Sequence, residues 1–342
     1  MVCIFQLKKL TIIKLLSTLN RWDELDSPNP QILFIEENTM KKTFTTLAAG
    51  FIAAFGVATA NAADITVENF AGKQVVPENP KRVVVLDFGT LDTLRELGVK
   101  DAIVASSKGR MPDYLAEFAD DSKYANVGTL PEPAFEKINE VHPDLIIASG
   151  RQEKVLDRLK EIAPVFYSTT DYANHYPSFQ ANILALSQIF NKQALAKEKL
   201  AQLDTRVAEL AKLTQGKTAL VTIVNESRIS AFGDKSRYGM VYQKFGFTPI
   251  DTNLAASTHG NSVSFEYIAE KNPDYLLVVD RTAAITDKVN NAQTVLNNDL
   301  IKPTKAAKNN HIVYLNAANW YLAFGGLKSM DTMITEIENA VK

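Results

Sequence analysis

Residues 134–151 read AFEKINEVHPDLIIASGR, and residues 264–281 read SFEYIAEKNPDYLLVVDR. The two stretches share seven identical residues at a constant offset of 130 positions. Each passes from an amphipathic segment through a Pro-Asp turn to an apolar run that ends in arginine, which is the pattern of a helix, a turn and a buried strand. Chance would rarely place seven matches at one offset, so the sequence predicts two similar α/β lobes.

Apolar runs that resemble buried strands alternate with helical segments on both sides of this repeat. The runs lie at residues 82–87 (RVVVLD), 145–148, 165–168 and 219–224 (ALVTIV). Alternating strands and helices are typical of parallel α/β layers. The predicted fold class is therefore α/β, with two similar lobes and mainly parallel sheets.

A stretch without proline, glycine or strand signal lies between residues 178 and 214. Six residues within it have the three-four spacing of one helix face; they are Ala196, Leu200, Leu203, Val207, Leu210 and Thr214. We expect a first lobe over residues 63–190, one long rigid connecting helix over 191–215 and a second lobe over 216–342. A ligand cleft is expected between the lobes, near the carboxyl ends of the strands. Its closure should be small because the connection is stiff.

The N-terminal region has the features of an export signal that starts at Met40. Two lysines follow Met40, an apolar stretch comes next, and small residues end the segment at Ala62. We expect a cleaved signal peptide over residues 40–62, and we interpret residues 1–39 as an over-extended start. Cys3 is the only cysteine of the sequence, so no cysteine follows the signal to carry a lipid. A soluble periplasmic protein is therefore expected.

Composition argues against several classes of binding protein. The 342 residues carry a formal net charge of −2, so no general affinity for nucleic acid is expected. One cysteine and four dispersed histidines argue against a disulfide framework and against a carrier of bare zinc or manganese. An anion could still be held by a few local cations. We expect a monomer without an intrinsic cofactor.

Three arginines are candidates for holding such an anion. Arg151 and Arg281 each follow an apolar run at equivalent places in the repeat, and Arg237 lies in the turn FGDKSRYG at residues 232–239. Arginine keeps its proton, so three converging guanidinium groups would repel one another unless an anionic ligand lay among them. The alternative is that each arginine is an ordinary surface or ion-pairing residue.

Two polar or aromatic loops supply further candidates. His259 lies in STHGNS at residues 257–262, and Trp320 and Tyr321 lie in NWYLAFGG at residues 319–326. Loops that end in small residues are frequent places for binding contacts. A surface histidine and core aromatic residues are the alternatives here.

One glutamate occupies the same position in each copy of the repeat, at Glu136 and Glu266. Acidic residues on helices usually form a solvated face, but a pair related by the lobe repeat could dock onto a two-fold partner. Catalytic signatures such as G-x-S-x-G, a Walker loop or H-E-x-x-H do not occur in the sequence. We therefore expect a binding protein, not an enzyme.

Six segments together resemble the class III periplasmic binding proteins of iron-siderophore and cobalamin ABC importers. They are VVVLDFGTLDTL (83–94), HPDLIIASGRQ (142–152), SAFGDKSRYG (230–239), STHG (257–260), EKNPDYLLVVDR (270–281) and NWYLAFGG (319–326). The resemblance is nearest to the periplasmic proteins of enterochelin (enterobactin) uptake, which bind catecholate siderophores. It extends over the whole expected mature chain.

The resemblance implies roles for individual residues. In that family three arginines clamp the anionic ferric complex, and the matching residues are Arg151, Arg237 and Arg281. A histidine and a tyrosine complete the coordination of Fe(III) when the siderophore leaves positions open, and these match His259 and Tyr321. Glutamates on the two lobes dock onto arginines of the dimeric permease, and these match Glu136 and Glu266. We also expect Trp320 to contact the ligand.

The resemblance therefore implies capture of a ferric catecholate siderophore and its delivery to an inner-membrane ABC importer. A ferric tris-catecholate has a charge of about −3, and bidentate arginines would offset that charge. A carrier of another iron chelate, of haem or of cobalamin on the same fold is the alternative. A periplasmic siderophore-processing enzyme or a structural surface protein is a more remote one.

Overall fold

The computed structural model describes residues 63–288 and 291–342. The predicted extension over residues 1–39 and the predicted signal peptide over residues 40–62 lie outside this part of the chain. No helix within the described ranges is long and apolar enough to cross a membrane. The described chain begins with an antiparallel pair of strands, β1 (Asp64–Asn69) and β2 (Gly72–Pro77).

The first lobe is built on an all-parallel sheet with the strand order β5-β4-β3-β6-β7. Its elements are β3 (Val83–Val85), α1 (Phe88–Glu96), β4 (Ile103–Lys108), β5 (Ala125–Thr129), α2 (Phe135–Glu140), β6 (Leu145–Ser149), α3 (Leu156–Lys160) and β7 (Val165–Ser168). Short 3₁₀ turns connect several of these elements. The predicted alternation of strands and helices is confirmed in this lobe.

Two helices, α4 (His175–Ile189) and α5 (Gln193–Thr214), follow β7. The buried residues of α5 are the same six that the apolar spacing indicated. The chain breaks between the helices at Asn191, whose left-handed conformation (φ 56°) is one that a short polar side chain tolerates. α5 packs against the C-terminal helix in one apolar core. The lobe limits at residues 190 and 216 stay predictions.

The second lobe has a mixed sheet with the order β11-β9-β8-β12-β13. Its elements are β8 (Thr218–Asn225), β9 (Arg228–Phe232), α6 (Met240–Gln243), β10 (Thr248–Pro249), β11 (Asn261–Val263), α7 (Phe265–Lys271), β12 (Tyr275–Asp280), α8 (Arg281–Ile285), α9 (Asn291–Leu296), α10 (Lys305–Lys308), β13 (Ile312–Leu315) and α11 (Leu327–Val341). Strands β10 and β12 run parallel to β8, and β13 runs parallel to β12. Strand β9 is antiparallel to β8. A short π-helical turn, Ala318–Leu322, precedes α11.

The repeated aspartates of the sequence have the same task in both lobes. Asp144 accepts hydrogen bonds from the backbone N–H groups of Lys81 (2.7 Å) and Arg82 (2.9 Å) at the start of β3. Asp274 accepts one from the N–H of Thr218 (3.0 Å) at the start of β8. Each carboxylate thus ties the beginning of one strand to its parallel neighbour. The repeated aspartates therefore align β3 with β6 and β8 with β12, and Arg151 and Arg281 follow the far ends of β6 and β12.

A carboxylate of the first lobe caps the C-terminal helix of the second. Asp92, on α1, accepts hydrogen bonds from the backbone N–H groups of Lys328 (3.0 Å) and Ser329 (2.8 Å) in the first turn of α11, and one from the hydroxyl of Tyr114 (3.1 Å). The Gly326 cap position offers no side-chain cap of its own. A Cβ on Gly326 would lie 2.1 Å from the Asp92 carboxylate. The close approach of the lobes here therefore requires glycine.

The Asp92 contact gives the protein a pH-dependent term in its stability. Burial raises the pKa of Asp92 to about 7, although the amides of Ser329 and Lys328 and the Tyr114 hydroxyl lower it; the charge of Glu96 raises it further. An unfolded aspartate titrates at about 3.9. The folded state thus keeps a proton that the unfolded state has lost, so this stabilising contribution is complete at low pH and disappears as pH rises through 7.

Between about pH 4 and pH 8, we expect the free energy of unfolding of the wild type to fall by about 3 kcal/mol relative to that of Asp92→Asn. Urea denaturation across this range measures the difference, because the asparagine cannot titrate. The exposed Asp157→Asn is the matched control and should keep the wild-type profile. Parallel profiles for wild type and Asp92→Asn would contradict the prediction.

Candidate ligand-binding site

A cleft of about 520 Å³ lies between the two lobes. From the first lobe it is lined by residues that follow β3, β6 and β7, among them Asp87, Arg151 and Thr169. From the second lobe it is lined by the turn that carries Arg237 and by the loop of His259. The loop before α11 completes it with Tyr321 and its neighbours. The cleft is therefore at the carboxyl ends of parallel strands, where α/β proteins bind ligands.

The three predicted arginines converge, and Tyr321 is the point where they meet. The backbone carbonyl of Tyr321 accepts hydrogen bonds from the Nη2 groups of Arg151 (3.0 Å) and Arg237 (2.8 Å). Its hydroxyl accepts one from Nε of Arg281 (2.7 Å). The three guanidinium carbons lie 4.8–5.6 Å from the centre of the Tyr321 ring. Arg151 and Arg237 line the cleft directly, whereas Arg281 reaches it through the tyrosine.

The positive charges change the acidity of Tyr321. Partial burial favours the neutral phenol, but the hydrogen bond from Arg281 and the charges of Arg281, Arg237 and Arg151 outweigh it and hold the pKa of Tyr321 below its ordinary value. The phenol is thus prepared to become a phenolate, which is a hard oxygen ligand. Nε of Arg237 is buried without a hydrogen-bond partner among the described residues. The site therefore has donor capacity for an anion.

The loop that carries Tyr321 corrects one prediction. Trp320 was expected to contact the ligand, but its ring is fully buried in the apolar core with α11 and does not line the cleft. Its indole N–H donates to the carboxylate of Glu336 (2.7 Å), and its carbonyl accepts from the hydroxyl of Tyr238 (3.1 Å). Adjacent residues in a helical turn point in different directions, so Tyr321 faces the cleft while Trp320 anchors the turn behind it.

His259 lies on an exposed loop and lines the cleft. Its backbone N–H donates to Oγ of Ser257 (3.1 Å), which fixes the turn. Gly260 has φ +77°, and a Cβ there would approach the ring of Phe232 to 2.8 Å, so the turn requires glycine. His259 and Tyr321 thus share one cleft.

Sequence reasoning missed two titratable residues near the arginines: Asp87, which lines the cleft, and His175, which is fully buried. Burial raises the pKa of Asp87, although the Thr90 amide and the charge of Arg151 lower it. Burial and the charge of Arg237 lower the pKa of His175 to about 3, so its ring is neutral. Asp87 follows an apolar run as Arg151 does, which is a signal that could have been used. His175 packs on Phe324 with ring centres 4.2 Å apart, and no local pattern marks it.

The two predicted docking glutamates lie away from this cleft. Glu136 and Glu266 are exposed and stand in the first turns of α2 and α7, one on each lobe. Neither forms an ion pair with a cation of the described residues. Their repeat-related positions agree with the sequence pattern, and their side chains are available to a partner.

Comparison with known proteins adds an independent line of evidence. Residues 83–318 match the model of the family described as periplasmic binding protein. The petrobactin-binding protein YclQ of Bacillus subtilis is 46% identical over 269 residues, which cover 78% of this chain and 84% of YclQ. The ferric-anguibactin-binding protein FatB of Vibrio anguillarum is 33% identical over 279 residues, which cover 80% of this chain and 86% of FatB.

Solved structures agree with the sequence relatives. The periplasmic catecholate-siderophore binding protein VctP of Vibrio cholerae has 35% sequence identity and a TM-score of 0.77, with 81% of this chain and 100% of the VctP chain covered. The family match spans most of both lobes and includes Arg151, Arg237 and Arg281. This chain therefore belongs to the periplasmic binding protein family.

Proposed function

We propose that this protein captures a ferric siderophore of the catecholate class and delivers it to an ABC importer for iron uptake. The observation that carries the proposal is the convergence of Arg151, Arg237 and Arg281 on Tyr321 in the inter-lobe cleft. Two permanent positive charges line the cleft and a third contacts Tyr321 beside it, and together they favour a multiply charged anion. They would contribute little to the binding of a neutral ligand.

A ferric catecholate has the charge and the donor atoms that this cleft can satisfy. The complex is an anion with a charge of about −3 in its tris form, and its catecholate oxygens accept hydrogen bonds from guanidinium N–H groups. The cleft volume of about 520 Å³ lies in the range of pockets for organic ligands of moderate size. The relatives support the same class of cargo, since YclQ, FatB and VctP are all named for siderophores. Those names differ in the siderophore, so a carrier of another anionic iron chelate is the alternative.

A bis-catecholate would leave coordination positions of Fe(III) open. His259 and Tyr321 share the cleft and supply an imidazole nitrogen and a phenol oxygen. The arginines already hold the pKa of Tyr321 below its ordinary value, and a bound metal lowers it further. We propose that these two side chains complete the coordination of Fe(III) when the siderophore does not.

Delivery requires export and a permease. We propose that residues 40–62 direct the chain to the periplasm, that cleavage follows Ala62, and that the mature protein carries no lipid and acts as a monomer. Glu136 and Glu266, one on each lobe, are proposed to dock onto cations of the permease dimer. Family members are binding proteins, and we propose that this one likewise binds without catalysing a reaction.

Removal of one arginine tests the charge argument. We expect Arg281→Ala to weaken the binding of all anionic ferric siderophores alike, by about tenfold, because a permanent charge beside Tyr321 is lost. Quenching of tryptophan fluorescence measures the affinities. Arg158→Ala is the control, since Arg158 is exposed and stacks on Phe135 outside the cleft. Unchanged affinity in Arg281→Ala would count against the proposed function.

Removal of the phenol hydroxyl tests direct coordination. We expect Tyr321→Phe to weaken ferric bis-catecholates by about tenfold or more and to leave tris-catecholates nearly unaffected, because only the former need an oxygen ligand from the protein. Parallel fluorescence titrations with both forms measure the selectivity. Equal losses for the two forms would rule out coordination by Tyr321.

Charge reversal tests the docking residues. We expect the double variant Glu136→Lys/Glu266→Lys to bind ferric siderophore with wild-type affinity and to lose most uptake, because like charges would then meet at the permease. Uptake of radioactive iron by cells that carry each variant measures delivery. Glu140→Lys, at the exposed end of α2, is the matched control. Normal uptake by the double variant would refute the docking role.

A further inference from the structure

Arg281 is held by two hydrogen bonds on different nitrogens of its guanidinium group. Nε donates to the hydroxyl of Tyr321, and Nη1 donates to Oδ1 of Asn225, both at 2.7 Å. A guanidinium is a rigid planar fork, so two bonds from different nitrogens fix the orientation of its plane. Asn225 therefore helps to fix the orientation in which the Arg281 guanidinium contacts the Tyr321 hydroxyl.

The sheet places Asn225 next to Arg281. Val224 of β8 is paired with Asp280 of β12 in parallel register, so Asn225 and Arg281 are the next residues on adjacent strand ends. Asn225 also closes the β8–β9 hairpin, where it is paired with Arg228. The acceptor is thus part of the sheet framework.

The hairpin is tied to the segment that carries Arg281. The N–H of Glu226 donates to Oγ1 of Thr282 (2.6 Å), and the side chain of Asn291 donates to the carbonyl of Glu226 (3.0 Å). Asp280 caps the same segment by accepting from the N–H groups of Ala283 (3.0 Å) and Ala292 (2.7 Å). The hairpin that carries Asn225 is therefore fixed to the segment that carries Arg281.

The chemistry of the acceptor matters as much as its position. An amide oxygen orients a guanidinium without cancelling its charge, whereas a carboxylate at the same place would form an ion pair and neutralise it. Arg151 differs in this respect, because it interacts electrostatically with the carboxyl of Asp87. Of these two arginines, Arg281 is the one with a neutral partner.

We infer that Asn225 is the positioning residue of this site: its neutral side chain directs Arg281 onto the Tyr321 hydroxyl and preserves the full positive charge for an anionic ligand. The inference rests on the proposed function for its ligand and deepens it. Its structural part, that Asn225 holds Arg281 in contact with the Tyr321 hydroxyl, applies to the protein without ligand.

Crystal structures of the variants without ligand test this structural part. The readout is the contact between Nε of Arg281 and the Tyr321 hydroxyl, which is 2.7 Å in the wild type. We expect Asn225→Ala to break this hydrogen bond, because Arg281 is no longer held on its second nitrogen, and Asn225→Asp to keep it, because a carboxylate oxygen accepts the same bond from Nη1. Asn291→Ala is the matched control, since it releases the same hairpin without touching the guanidinium, and it should keep the wild-type contact.

Binding of ferric enterobactin, measured by fluorescence quenching, tests the charge. We expect a loss of about threefold in Asn225→Ala and of about tenfold in Asn225→Asp, similar to the loss in Arg281→Ala. A wild-type contact between Arg281 and Tyr321 in Asn225→Ala, or an equal displacement of Arg281 in Asn291→Ala, would overturn the inference. Undiminished affinity in Asn225→Asp would overturn the neutral-charge part of it. If wild type bound no ferric siderophore at all, the proposed function would fail, while the structures of the variants would still decide the role of Asn225.

Discussion

Mutual repulsion among three guanidinium groups is the constraint on which this site depends. Arg151, Arg237 and Arg281 cannot lose their protons, so the fold must hold them together against their own charge. Tyr321 makes this possible with two acceptors, since its carbonyl receives two arginines and its hydroxyl the third. The two oxygen atoms of Tyr321 thereby lie among the three positive charges, where an anionic ligand would also be attracted. The convergence is a property of the site before any ligand arrives.

The lobes supply the geometry for this convergence. Parallel strands bring their carboxyl ends to one edge, and the repeated carboxylates of Asp144 and Asp274 align the opposite ends of those strands. Residues Ala284, Leu322 and Ala323 from the C-terminal half belong to the apolar core of the first lobe. Shared packing of this kind limits how far the lobes can separate. It favours small adjustments of the cleft over a wide hinge motion.

Much of the fold could be predicted because it follows local rules. Apolar runs located the central strands, and the helical spacing located the buried face of α5 to the residue. The arginine cluster could be predicted because the repeat placed Arg151 and Arg281 at equivalent strand ends. The left-handed conformation of Asn191 lies where the connecting helix was expected to begin, but the conformation itself gave no signal in the sequence, since asparagine is also compatible with a helix. Trp320 was assigned wrongly because loop sequence does not reveal which of two neighbouring aromatics faces inward. Asn225 and Asp92 gave no signal, since their partners are distant in the sequence.

The cap on α11 has a consequence for the architecture of the polypeptide. The last helix of the chain begins on a carboxylate that the first lobe provides, and this helix follows directly on the loop that carries Tyr321. A fragment that ended before α11 would leave the Asp92 carboxylate without these donors, and one that lacked the first lobe would leave the amides without their acceptor. The two halves are therefore not interchangeable modules, despite their common repeat.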